Sequence, residues 1–319
     1  MPSTVIDLGS ITVPDAKLVQ AGLTHFGFYS GTLFGVPGPK TKDAYARYSG
    51  STPGPDQQTP GALLAYPRSV MDEMDFPGDL DPGTKGRKAR RVQEWLTIHG
   101  FRTPIDDDFD VATARAVVNF QAARGLTSGT GGKVDKATWE ELVAPMARAF
   151  GKIVPSASFD ATVRAVAEQH LREHPIEVGG QNCGPWVRAY MDGHQGQAWP
   201  WCAGFVTFVM KQAAEIQSSP TPIQGSVSCD VLQAQADKKG RYVAGSSIGS
   251  LASAGFGECC IFLVRNTSTD WTHTGFAMDM KHDTFATIEG NTNDEGTREG
   301  YEVCKRIRGK SEKDFIKLV

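Results

Sequence analysis

The chain has 319 residues, 40% of them hydrophobic and 22% charged, with a formal net charge of -3. That composition suits a globular protein of two or three domains and excludes disorder along the whole length. A charge balance so close to neutral supplies no general field for phosphate polymers, so nucleic acid is not an expected partner.

In chain order, the opening MPSTVIDLGSITVPD has neither a basic start nor a sustained apolar core, so no Sec-type signal peptide is expected. The longest apolar runs, such as AGFVTFVM, fall far short of the roughly 18 residues a membrane span requires, so no span is expected either. Two turn-rich stretches, SGSTPGPDQQTPG at 49–61 and FPGDLDPGTKG at 76–86, read as connections, and GKIVPSAS at 151–158 is a softer break. The expected organisation is a small module at 1–50, a linker at 51–82, a second module at 83–150 and a larger domain at 158–319.

The two small modules read as copies of one unit, the first divergent. VQAGLTHFGF from Val19 lies over VQEWLTIHGF from Val92, and TKDAYARY from Thr41 lies over TARAVVNF from Thr113. In the second copy Val92, Trp95, Leu96 and His99 recur as one helix face does, and Gly100 ends that helix. Val117 and Phe120 mark a second helix, and Asp135 caps a third that carries Trp139, Leu142, Val143 and Met146. Trp95, Phe120 and Trp139 are expected in the core. The basic run KGRKARR at 85–91 is either a solvated helix end or a seat for an anionic polymer.

The segment 83–142, with VQEWL, GF, the DDDF loop, TARAVVNFQAARGL and DKATWEEL, resembles the small three-helix peptidoglycan-binding domain found beside many cell-wall hydrolases. The resemblance implies peptidoglycan as partner. That family usually carries a Gly after its acidic loop position, where this chain has Asp107, Asp108 and Asp110.

All six cysteines, at 183, 202, 229, 259, 260 and 304, lie in the C-terminal half without C-x-x-C spacing, which fits free thiols better than a disulfide framework or a zinc knuckle. AWPWCAGFVTFVMKQ at 198–212 places Cys202 at the head of a helix buried on most sides, with Pro200 in the extended chain before it. The unpaired N–H groups and positive dipole of a helix N-terminus favour a thiolate. WTHTGFAMDM and FATIEGNTN read as successive strands, with His273 near the start of the first and Glu289 and Asn291 at the end of the second. Antiparallel pairing puts His273 beside Glu289. A thiol attacking an amide needs an imidazole to share its proton, and that imidazole needs an acceptor to fix its tautomer. Cys259 and Cys260 are expected as buried strand residues and Cys183 as core.

Residues 177–308, with VGGQNCGPWVRAYM, PWCAGFV, THTGFAM and TIEGNTNDEGTREGYEV, resemble the CHAP family of cysteine- and histidine-dependent amidohydrolases and peptidases. The resemblance implies an α+β, papain-like fold for this domain behind the all-α modules. It also implies Cys202 as nucleophile, His273 as general base and acid, and Glu289 with Asn291 orienting the imidazole, with no cofactor and no metal. GECCIFLV, with Glu258, stands where the family often has Gly-Asp.

Two other readings compete. HLREH at 170–174 matches the H-x-x-E-H zinc motif through His170 and His174, although Pro175 ends the helix at once. A wall-binding protein without catalysis is the second. The favoured expectation is a monomeric peptidoglycan hydrolase cutting an amide bond, as an amidase or an endopeptidase. Without a signal peptide it would be made in the cytoplasm and meet the cell wall after release or delivery. The matching settings are an endolysin with a holin system, or an antibacterial effector with an immunity protein.

Overall fold

The computed structural model describes residues 6–11, 16, 19–20, 22–23, 28–29, 36–50, 73–126, 131–293 and 300–319. They belong to two compact units, 1–72 with 192–194, and 73–191 with 195–319.

In the first unit, α1 (Pro39–Gly50) contributes Ala44 and Tyr48 to an apolar cluster with Ile6, Val19 and Leu23. In the second, α2 (Arg87–Ile98), α3 (Val111–Arg124) and α4 (Lys136–Ala149) form the helical module. Their boundaries follow from local chemistry. Asp110 accepts from the Thr113 N–H and Asp135 from the Thr138 N–H, both at 2.9 Å, which satisfies a first-turn donor of α3 and of α4. Gly100, at φ 84°, follows α2 as the spacing predicts. Trp95, Phe120 and Trp139 are fully buried, as expected from their periodicity.

The two copies repeat contacts as well as sequence. Gln20 Nε2 donates to Thr41 Oγ1 at 3.0 Å, and Gln93 Nε2 donates to Thr113 Oγ1 at 3.2 Å, both inside their cores. Phe28 meets Tyr48 edge to face at 5.5 Å, and Phe101 meets Phe120 the same way at 5.6 Å. A buried polar pair is costly unless satisfied, so its recurrence at equivalent positions is a strong mark of a shared core plan.

Much of the basic run is paired within the module. Lys85 pairs with Asp108 at 2.5 Å, Arg90 with Asp107 at 2.6 Å, and Arg91 lies 4.6 Å over the Trp139 ring. The acidic loop takes Lys85 and Arg90 and Glu73 takes Arg87 and Arg91, while the Lys85 side chain stays largely exposed at the solvated helix end. Asp107 has φ 66°, the left-handed region that glycine enters most freely and aspartate tolerates. Part of the stretch read as linker is also packed: Leu80 is buried and exchanges backbone hydrogen bonds of 3.0 and 2.9 Å with Val134, and Trp139 Nε1 donates to the Met74 carbonyl.

The remainder is α+β. Helices α5 (Phe159–Glu173), α6 (Pro185–Tyr190), α7 (Cys202–Gln217) and α8 (Cys229–Lys238) precede strands β1 (Tyr242–Val243), β2 (Cys259–Thr267), β3 (Asp270–Met278), β4 (Thr284–Thr292), β5 (Glu302–Gly309) and β6 (Lys313–Ile316). The described strands form one antiparallel sheet in the order β1-β6-β2-β3-β4-β5. Alternation along each strand gives the sheet two apolar faces. On one, Phe276 meets Phe205 of α7 at 6.0 Å. On the other, Phe262, Phe285 and Phe315 form a cluster with Cys260, Ala277 and Phe256. Cys259 and Cys260 are fully buried on β2, as expected.

Candidate active site

Cys202 is the first residue of α7, and the Trp201 before it supplies no side-chain cap. The helix head therefore lacks a side-chain cap for its first N–H groups, with Phe205 N–H the first to bond back, to the Trp201 carbonyl at 2.9 Å. The head is fixed by aromatic packing. Trp201 stacks on Tyr190 at 5.6 Å and donates its Nε1 hydrogen to Glu177 at 2.8 Å. Gly290 of β4 permits the approach of the sheet, since a Cβ there would lie 2.8 Å from Phe205 Cβ and from the Trp201 ring.

His273 stands near the start of β3 on the face that carries Phe262, whose ring centroid is 6.2 Å away. Its Nε2 lies 2.8 Å from Glu289 Oε2. An ionised carboxylate only accepts, so Nε2 carries the hydrogen and Nδ1 is left to meet the thiol. Glu289 is fully buried and further held by Arg308, which donates Nε to Oε1 and Nη2 to Oε2 at 2.6 Å each, and by the Thr287 hydroxyl at 2.5 Å. Burial alone would raise the Glu289 pKa, but the bonds from Arg308 and His273 outweigh it and bring it down to about 2. Gly275 leaves the carboxylate room to cross β3: a Cβ there would sit 2.8 Å from Glu289 Cγ and 2.8 Å from Phe262 Cε1.

The thiol of Cys202 has a second sulfur beside it, Cys229 Sγ at 4.0 Å. The Cys202 pKa is driven well below its ordinary value, first by the hydrogen bond from Cys229, then, against the opposing effect of burial, by His273 and the Thr274 backbone. Burial pushes His273 down, yet the Cys202 sulfur and Glu289 reverse this and hold it up to about 9. Both shifts favour the thiolate–imidazolium form, in which a cysteine is most nucleophilic. Cys202 is 4% exposed and the His273 side chain 12%, so the charges sit in a nearly dry setting where each is felt strongly.

Residues 85–142 match the family model described as a putative peptidoglycan binding domain. No CHAP-domain match accompanies it, and no curated protein and no solved structure matches the chain. The peptidoglycan-binding module has a groove of about 590 Å³ between the turn after α2 and the start of α3, with Phe101 and Val111 in its lining and Arg102, Arg115 and Asn119 as polar groups.

Of the expected site residues, Cys202, His273 and Glu289 come together, and it is Glu289 that bonds the imidazole. The register shifts between Glu289 and Thr292, Asn291 takes φ 54°, and its buried Oδ1 has no hydrogen bond among the described residues. A bulge of this kind breaks the two-residue alternation that would have kept Glu289 and Asn291 on one face. Cys183 is half-buried rather than core, on the turn that precedes α6. The zinc reading loses its geometry. His170 is fully buried, with one ring nitrogen 2.8 Å from the Tyr190 hydroxyl and the other 2.8 Å from Gln212 Oε1. His174 caps α5 at φ 49° and bonds Glu302 at 2.5 Å. Among the described residues no group of His, Cys, Asp and Glu is arranged to hold a metal ion. Sequence reasoning missed Cys229 and Arg308. A cysteine one residue after a capping serine was the available signal for the first, and alternating basic residues in CKRIRG for the second.

Proposed function

We propose that this chain is a modular peptidoglycan hydrolase whose C-terminal domain, built on a papain-like plan, cleaves an amide bond by thiol chemistry. The observation that carries the reading is the buried relay from Arg308 through Glu289 to His273 and on to Cys202 at a helix head, with its 2.8 Å imidazole–carboxylate bond. Cys202 attacks the carbonyl carbon, and the oxyanion that forms is received by the Cys202 N–H at the start of α7. His273 delivers its Nδ1 proton to the leaving amine, then takes a proton from the water that releases the acyl group. Glu289 stays ionised and holds the ring. The bond cut is either the sugar–peptide amide or a peptide bond of the stem or crossbridge.

The binding module supports the choice of substrate, since it ties the chain to the cell wall. The first unit serves as a second wall-binding module, a reading supported by its repeated Gln20–Thr41 and Phe28–Tyr48 contacts. Tethering of this kind raises the effective concentration of a catalytic domain on an insoluble polymer. The chain acts as a monomer on the wall after release or delivery from the cytoplasm, as an endolysin or an antibacterial effector.

Digestion of purified peptidoglycan by the intact chain in the presence of a chelator, with mass spectrometry of the soluble products, tests the proposal. Fragments with a new amine and a new carboxyl group are expected. New reducing sugar ends, or the absence of soluble fragments, would overturn it.

A further inference from the structure

Thiol hydrolysis as written makes no use of Cys229 as a reacting group, yet the fold takes care to hold that sulfur 4.0 Å from the nucleophile. The loop ahead of α8 is fastened to α7: Thr207 Oγ1 donates to the Ser226 carbonyl at 2.7 Å and accepts from the Ser226 N–H at 2.9 Å. Gln235 closes the same loop through Gly225, at 2.9 and 3.1 Å. The far side of the α8 head is fixed to β3, where Asp230 Oδ1 accepts from the Trp271 N–H at 2.8 Å. Two helices, each opening with a cysteine, thus bring their first sulfurs to 4.0 Å.

We infer that Cys202 and Cys229 are an oxidative modification pair, in which a low-molecular-weight disulfide converts the nucleophile and its neighbour into an intramolecular disulfide. In the first step the Cys202 thiolate attacks one sulfur of glutathione disulfide. The S–S bond of the reagent breaks, and the departing glutathione thiolate takes the proton of the His273 imidazolium. In the second step Cys229 sulfur attacks the Cys202 sulfur of the mixed disulfide, and the second glutathione leaves with the proton Cys229 has lost. Two thiols are oxidised and one glutathione disulfide is reduced to two glutathiones. The sulfurs then close from 4.0 Å to the roughly 2.05 Å of a disulfide. A low-pKa thiol next to a resolving cysteine is the arrangement that redox-sensitive sites share. While Cys202 is a thiolate, Cys229 is kept protonated by its hydrogen bond to that sulfur, by burial and by the neighbouring negative charge. Capping Cys202 removes the hydrogen bond and the charge of that sulfur, so that burial and the Asp230 carboxylate alone still oppose loss of the Cys229 proton in the second step.

The loss of hydrolysis that follows rests on the function proposed above; the formation of the disulfide does not. The test treats the reduced full-length protein with graded glutathione disulfide, quenches it in acid, and reads intact mass, a peptide map and wall digestion in parallel. The expected product is lighter by two hydrogens and carries a Cys202–Cys229 crosslink, with hydrolysis lost in the same proportion and restored by dithiothreitol. Cys229→Ser and Cys229→Ala should instead stop at one glutathione on Cys202. A wild-type protein that stops at that mixed adduct, or that crosslinks through another cysteine, overturns the inference. If the reduced protein digests no wall but the crosslink maps as expected, the pair stands and the hydrolase reading falls.

Discussion

Glu289→Gln isolates what the buried carboxylate does for the imidazole. Glutamine keeps the shape and an acceptor oxygen, so the perturbation is the loss of one negative charge 2.8 Å from Nε2. A hydrogen bond to a charged partner is worth about 1.5–3 kcal/mol against about 0.5–1.5 for a neutral one, a difference of roughly 1–2 kcal/mol. At about 1.4 kcal/mol per pH unit that is roughly one unit, and the Arg308 guanidinium, left without its partner beside the ring, adds to it. The sign follows from the charge state: Glu289 stabilises the imidazolium, so its removal lowers the His273 pKa from about 9 toward roughly 7–8. In the proposed mechanism His273 acts as an acid, so the alkaline limb of the kcat/KM profile on a soluble wall fragment should move down by roughly 1–2 units. The same carboxylate also contributes folding stability that is present above its ordinary value of 4.5 and is lost as pH falls through about 2; the variant should lack that acid-side contribution. An alkaline limb that stays in place would refute the assignment of Glu289 as the partner of His273.

Three further outcomes follow from close packing and buried charge. Gly275→Ala places a methyl group 2.8 Å from Glu289 Cγ, an overpacking worth about 1–3 kcal/mol, and should cut turnover by roughly tenfold or more while circular dichroism stays native. Arg188→Ala strands the buried Glu94, paired at 2.5 Å, and leaves Glu73 only Arg87 and Arg91 at 3.7 and 3.6 Å; it should cost about 3–5 kcal/mol, read as a lower urea midpoint. Gln93→Ala removes the clamp on the acidic loop, since Gln93 accepts from the N–H groups of Asp106 and Asp107 and donates to the Asp108 carbonyl; a loss of about 1–3 kcal/mol in denaturant melts is expected, without loss of Cys202 reactivity.

The helical module was legible because its signals are local. Periodic Val92, Trp95 and Leu96, the caps Asp110 and Asp135, and the terminating Gly100 each act within a turn or two of chain. Cys202 was legible for the same reason, since Trp-Pro-Trp interrupts any earlier helix and the apolar run after it must start one. His273 and Glu289 could be paired because β3 and β4 are successive antiparallel strands, for which order along the chain nearly fixes adjacency. Which of Glu289 and Asn291 bonds the ring could not be read from the chain, because Asn291 lies at a local shift in register that period-two reasoning cannot anticipate. Cys229, Arg308 and the Glu73–Arg188–Glu94 cluster stayed hidden because each contact joins segments distant in sequence, and only the folded chain sets their separation. The basic run at 85–91 shows the converse: its partners were visible as an acidic loop, but charge alone does not say which cation meets which anion.

Whether Cys202 is the nucleophile of the proposed wall-cleaving amidohydrolase is decided by comparing the intact protein with Cys202→Ala on purified peptidoglycan. Soluble fragments and wall-bound protein are quantified in the same tubes. The variant is expected to sediment with the wall through its binding module but to release no fragments. Equal release by the two proteins would contradict Cys202 as the nucleophile.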